Sequence, residues 1–108
     1  MKLSAAPYKM VASGQKTIES RLYDEKRHLI SPGDVIEFTC SEDPTQKILT
    51  DVKALYRYAS FREMFHDFSP AQFGGASIDQ LTDQIQQFYS EEDQKKYGVL
   101  GIKISLQK

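Results

Sequence analysis

The run Ser13-Gly14-Gln15-Lys16-Thr17-Ile18-Glu19-Ser20-Arg21-Leu22 constrains the fold of this chain more than any other stretch. An apolar-striped segment precedes Gly14, and glycine enters the left-handed backbone region without a side-chain penalty, so Gly14 reads as a helix stop. The residues that follow read as a strand. Side chains of a strand alternate between faces, which puts Thr17, Glu19 and Arg21 on one side and Ile18, Ser20 and Leu22 on the other. With Ile18 and Leu22 taken as core residues, Glu19 and Arg21 are expected to stand together on the exposed face, with Lys16 at the start of the strand and able to swing over them. A carboxylate between two cations keeps its charge and can orient an arginine. The plain alternative is a solvated same-face pair on an amphipathic strand, worth little in stability. In favour of a site are three chargeable groups of mixed sign within six residues, placed just after a glycine turn, since junctions between loops and regular elements often carry function.

Upstream, Met1-Lys2-Leu3 suits a short strand laid against a sheet. Ser4 can cap a helix from about Ala5, with Pro7 in its first turn, where a missing backbone donor does little harm. Ala6, Met10 and Val11 give that helix its expected apolar side. Downstream, Asp24 to His28 is a solvated charge cluster, and Ser31-Pro32-Gly33-Asp34 is a turn in which proline presets its own φ and glycine accepts a positive one. Val35 to Thr39 reads as a strand, Ser41 to Gln46 as a polar loop, and Lys47 to Tyr58 as a long strand, bent or bulged.

Helical spacing then takes over. Phe61, Met64, Phe65 and Phe68 mark one helix face, with Ser60 as cap and Glu63 at its third position; the two leading phenylalanines suit core packing better than base stacking. Pro70 to Gly75 is the expected mobile segment, with Phe73 either anchoring it or closing over a cleft. Ser77 caps a helix from Ile78 to about Tyr89, striped by Ile78, Leu81, Ile85 and Phe88. Ser90 opens a short acidic helix, Glu91 to Lys96, and Tyr97-Gly98 breaks it. In the closing strand Leu100, Ile102, Ile104 and Leu106 are expected to face inward, alternating with Val99, Gly101, Lys103 and Ser105. On pattern alone the choice lies between an α+β layer and a small barrel.

The ordered set Gly14, Lys16, Thr17, Glu19, Arg21, followed by Gly33-Asp34, by Tyr58-Ala59-Ser60-Phe61-Arg62-Glu63-Met64-Phe65 and by Tyr97-Gly98-Val99-Leu100-Gly101-Ile102, resembles the ASCH domain of the PUA-like superfamily. The resemblance runs from about residue 2 to about residue 106, which implies one ASCH/PUA-like domain over residues 1–108. It implies an α+β fold: a mixed, mostly antiparallel PUA-like β-barrel of about five or six strands with flanking helices, and a cleft between barrel and helices that binds RNA or a nucleotide-like ligand. On that reading Lys16 and Arg21 contact phosphate or a base edge, Thr17 lies beside them, Glu19 accepts from a base amino group or orients Arg21, and Tyr23 or Phe73 stacks on the base.

A second implication is catalytic. Some ASCH relatives look like amidohydrolases that remove an acetyl group from modified cytidine, and their lysine falls on Lys16. Glu19 stands where those relatives have threonine, and the loop from Gln72 to Ser77 lacks their later glutamate. Catalytic roles, if the chain is an enzyme, fall to Lys16 and Glu19, the latter as general base for a water. Others resemble metal-assisted ribonucleases, but the acids here are scattered. A fourth reading is RNA-independent protein binding through the Phe73-Gly74-Gly75 segment.

Charge narrows the partners. The formal net charge of −1 gives no general pull toward nucleic acid, yet residues 1–30 carry six Lys or Arg against three acids while the remainder carries eight against twelve. That leaves room for a local basic face on a weakly acidic protein. At 27% charged and 40% apolar residues the composition argues against disorder. Cys40 is the single cysteine, which removes intrachain disulfides and cysteine-built zinc sites, and His28 and His66 lack a ligand spacing. No metal or other cofactor is therefore expected. No apolar run approaches membrane-spanning length, so the expected setting is cytoplasmic, without a membrane partner.

Overall fold

Two turns with clear local causes set up the sheet. Gly33 adopts φ 94°, and the Asp34 carboxylate accepts from the Ser31 amide at 2.8 Å, so the chain enters β3 (Val35–Cys40) from a rigid corner. Only Ser41 and Glu42 separate β3 from β4 (Asp43–Tyr58), because Cys40 already pairs with Asp43. The polar stretch expected as a loop is thus largely strand. Its irregular start is absorbed by a register shift after Thr39, and the Asp43 side chain takes hydrogen bonds from the Thr45 amide and hydroxyl and from Gln46.

The computed structural model describes residues 1–107. Its remaining elements are β1 (Lys2–Leu3), α1 (Ala5–Ala12), β2 (Ile18–Leu22), α2 (Phe61–His66), α3 (Ile78–Gln86), α4 (Glu91–Tyr97) and β5 (Val99–Leu106), with 3-10 turns at Arg27–Leu29 and Pro70–Phe73. The five strands lie in the order β1-β3-β4-β5-β2, antiparallel except for β1 against β3. β4 serves two partners. It pairs with β3 up to Asp51 and with β5 from Thr50 onward, and an extra residue, Lys53, between Val52 and Ala54 bends it as a bulge does. The sheet curls into a half-barrel. Its edge strands are joined by a side chain rather than by a ladder: Arg21 Nη2 donates to the Lys2 carbonyl at 3.2 Å.

Curling gives two cores. Inside the curl, Leu3, Ile36, Phe38, Val52, Leu100, Ile102 and Ile104 pack with Tyr8 and Val11 of α1. On the other face Ile18, Leu22 and Val99 pack against Phe61, Met64, Phe65, Phe73 and Leu81 of the helical layer. Burying an apolar side chain of this size stabilises by about 1.5–3 kcal/mol, so the helix-facing side of β2 and both faces of the first half of β5 contribute. Val99 to Ile102 are all buried, while Leu106 is partly exposed at the sheet's end.

The helices mostly follow their sequence signals. Ser60, Ser77 and Ser90 each accept from the amide three residues on, at Glu63, Gln80 and Asp93. Ser4 stands at the N-cap of α1 without a side-chain cap bond, and the buried side of α1 is Tyr8 and Val11 rather than Ala6 and Met10. Pro70 to Gly75 is not a loose segment. It winds into a 3-10 turn in which the Ser69 amide donates to the Gln72 side chain at 3.0 Å, and Phe73 packs edge-on against Phe65 at 4.9 Å. α3 stops at Gln86, three residues short of the expected end.

Candidate functional site

The candidate site forms where α1 hands the chain to β2. Gly14 takes φ 83°, which ends α1, and the Lys16 amide then donates back to the Met10 carbonyl at 3.0 Å. The Thr17 amide donates to the Gln72 carbonyl at 2.9 Å, tying the start of β2 to the 3-10 turn, and the Thr17 carbonyl accepts from the Ile104 amide. Lys16 lies against Gly74: a β-carbon added at Gly74 would stand 3.4 Å from Lys16 Cδ. Lys16 is thereby fixed from two sides before its ammonium makes any contact.

Glu19 is 4% exposed, which corrects the expectation that it stands on a solvent face. In the ladder Glu19 lies opposite Ile102 and Arg21 opposite Leu100, so both point to the concave face of the curl, while Ile18, Ser20 and Leu22 face the helical layer. The alternation holds but neither side is a solvent face, because the sheet curls over one and helices cover the other. Glu19 Oε1 accepts from Lys16 Nζ at 3.0 Å and from the Ser20 amide at 2.9 Å; Oε2 accepts from Arg21 Nη2 at 3.4 Å. The Lys16 and Arg21 side chains are 11% and 16% exposed. Burial pushes the Glu19 carboxyl up, but the charges of Lys16 and Arg21, the Lys16 hydrogen bond and the Ser20 N–H together outweigh it and hold the group below its ordinary value of 4.5. The carboxylate is therefore ionised at neutral pH. Its second oxygen keeps acceptor capacity, and both cations keep unused N–H donors.

These three side chains line a cleft of about 550 Å3, within the size range of small-molecule sites. One wall is β1 and the start of α1, with Lys2, Ser4 and Pro7; the other is α3 and the residues after it, with Gln84, Gln87 and Phe88; Phe73 and Leu81 lie deeper. Glu19 is the one acidic residue lining it among the described residues. Of the residues expected at the site, Lys16, Glu19, Arg21 and Phe73 share this cleft, with the Phe73 ring 5% exposed and held by Phe65 and Phe68. Thr17 and Tyr23 do not line it. Tyr23 is held between His28, ring centroids 3.9 Å apart, and the Arg57 guanidinium, 3.9 Å from its centroid. A smaller cavity of about 250 Å3 lies between α2, α3 and α4, where the buried Gln94 side chain accepts from the Phe61 amide.

Phe88 is the residue that sequence reasoning misses. As part of the α3 stripe it is expected in the core, yet it is 75% exposed and lies at the cleft. One signal for this exists in the chain: Ser90 caps α4, so the backbone must leave helical phase just before it, and the residues between the two helices need not continue the stripe.

A curled, mostly antiparallel sheet with helices on its convex side and a charged cluster at the open seam defines a PUA-like domain. The chain belongs to the ASCH domain family, whose model matches residues 1–108. The crystal structure of hypothetical protein PH0355 is similar at 37% identity and a TM-score of 0.83, covering 99% of this chain and 100% of that one. The solution structure of protein PF0455 from Pyrococcus furiosus is similar at 34% identity and a TM-score of 0.74, covering 100% of this chain and 99% of that one. No curated protein matches the chain. Family membership associates the chain with nucleic acids or nucleotides.

Proposed function

We propose that the protein binds RNA or a nucleotide-like ligand in the Lys16–Glu19–Arg21 cleft. The observation that supports this reading is an ionised carboxylate, 4% exposed, held between two cations at a concave seam. The cluster is shielded from bulk solvent, so each hydrogen bond to a ligand gains from the low local dielectric, and an acceptor flanked by donors matches the mixed polarity of a nucleobase edge. Lys2, Lys16 and Arg21 against Glu19 leave the cleft net positive on a chain of net charge −1. An anionic strand is thus drawn to the cleft rather than to the surface at large. The cleft's one carboxylate is already engaged by both cations, which favours binding over acyl hydrolysis.

The test is a titration of labelled single-stranded and hairpin RNA at low salt against wild type and a Lys16→Ala, Arg21→Ala double variant. Wild type should bind more tightly, with a salt dependence steeper by about 0.7 in log–log slope for each phosphate contact removed in the variant. Equal binding, or none by either protein, rejects this site.

A further inference from the structure

Phe88 has no packing reason to stand where it does. The Phe88 amide donates to the Ile85 carbonyl at 3.0 Å, as does the Tyr89 amide, so the chain tightens after Gln86 and rotates the two rings apart. Tyr89 takes the covered position and stacks on Phe61 with centroids 5.6 Å apart. Phe88 is left 75% exposed at the mouth of the cleft, whereas Phe61, Phe65 and Phe73 pair with other rings in the helical layer. Among the described residues it is the one exposed phenylalanine. Such a ring beside a hydrogen-bonding floor supplies the apolar face that a planar ligand requires and that Lys16, Glu19 and Arg21 cannot supply.

We infer that Phe88 is the stacking wall of the cleft, and that the ligand carries a planar unsaturated ring whose polar edge is read by Lys16, Glu19 and Arg21. This rests on the binding reading above and deepens it: recognition is of a base, with the phosphates contributing attraction but no fit. Charge complementarity and the aromatic face select a base-bearing strand over a bare polyanion. Ser20, 9% exposed, adds a small polar group to the cleft lining.

Two fluorescein-labelled strands of equal length separate the terms, one a mixed-sequence single-stranded RNA and the other an abasic ribose-phosphate strand. The proteins compared are wild type, Phe88→Ala, Phe88→Leu, Phe88→Trp and the Lys16→Ala, Arg21→Ala double variant. The variants at residue 88 are checked for an unchanged melting temperature, and the double variant, which leaves Glu19 without its cations, for a cooperative melt well above the assay temperature. Phe88→Ala and Phe88→Leu should weaken the base-bearing strand by about tenfold, Phe88→Trp should retain it, and the abasic strand should bind equally to wild type and to all three variants at residue 88. If Phe88→Ala binds the base-bearing RNA as wild type does while the double variant does not, stacking is overturned and the cleft reading stands. If Phe88→Leu binds as well as Phe88→Trp, the wall is merely apolar and the planar-ring inference fails. Wild type that binds neither strand overturns both.

Discussion

Replacing Glu19 by glutamine removes the charge and keeps the shape, and its cost follows from what the carboxylate holds. The amide side chain of Glu19→Gln retains one carbonyl oxygen, which can still accept from the Ser20 amide and the Lys16 ammonium as Oε1 does, but it sets an NH2 donor against the Arg21 guanidinium where Oε2 accepts in the wild type. Lys16 and Arg21, 11% and 16% exposed, are left without their counterion. Breaking a buried pair costs about 3–5 kcal/mol, and the residual exposure of both cations places this case near the lower end, about 3 kcal/mol. For 108 residues with an unfolding entropy of about 2.1 cal/mol/K each, that loss corresponds to a melting temperature about 13 °C lower. Urea unfolding at pH 7 and thermal scans measure it. The sign of the pH dependence is also fixed. The folded carboxyl lies below its ordinary 4.5, so the unfolded chain binds the proton more readily. The wild-type advantage is fully present above that value and is lost as pH falls through the folded pKa. The gap between wild type and Glu19→Gln should therefore be constant above pH 4.5 and narrow below it. A triple variant, Lys16→Met, Glu19→Leu, Arg21→Met, should recover most of the loss, because no charge is then orphaned. A Glu19→Gln protein that melts within about 2 °C of wild type, or a gap that widens in acid, refutes the buried-charge account.

Gly74→Ala tests how Lys16 is positioned. Gly74 has φ 79°, and an added β-carbon would stand 2.8 Å from Met10 Sδ and 3.4 Å from Lys16 Cδ; we expect a loss of at least about 1 kcal/mol in urea unfolding and weaker RNA binding, and unchanged values for both would show that the glycine is dispensable. Acetylcytidine incubated with purified protein and followed by chromatography should remain intact; release above a Lys16→Ala control would establish the hydrolase and displace the binding reading.

Much of this is legible in the chain because local rules govern it. Gly14 and the three serine caps are decided within a few residues, and the structure agrees at each. The alternation of β5 shows only from Ile102 to Ser105, because the helical layer also covers Val99 and Gly101, and Leu106 is exposed. The direction of Glu19 is not a local property. Alternation in β2 separates Glu19 from Ile18, but which face meets solvent depends on β2 pairing with β5 and on the curl imposed by the bulge at Lys53. Phe88 departs from expectation for the opposite reason: the stripe of α3 cannot extend through residues whose conformation the next cap already claims. The Asp43 stretch reads as loop by composition and is held in the sheet by partners on β3.

The single ladder neighbour of β2 is β5, with Leu22 opposite Val99 and Ile18 opposite Lys103. During synthesis on a ribosome the earlier strand must wait for its partner, roughly four to fifteen seconds at ordinary elongation rates. Throughout that interval Glu19, Lys16 and Arg21 remain hydrated, and no desolvation cost has to be met by an unfinished sheet. The charged seam of the cleft is thus completed only with the last strand, so a nascent or prematurely terminated chain lacks the fixed arrangement of Lys16, Glu19 and Arg21.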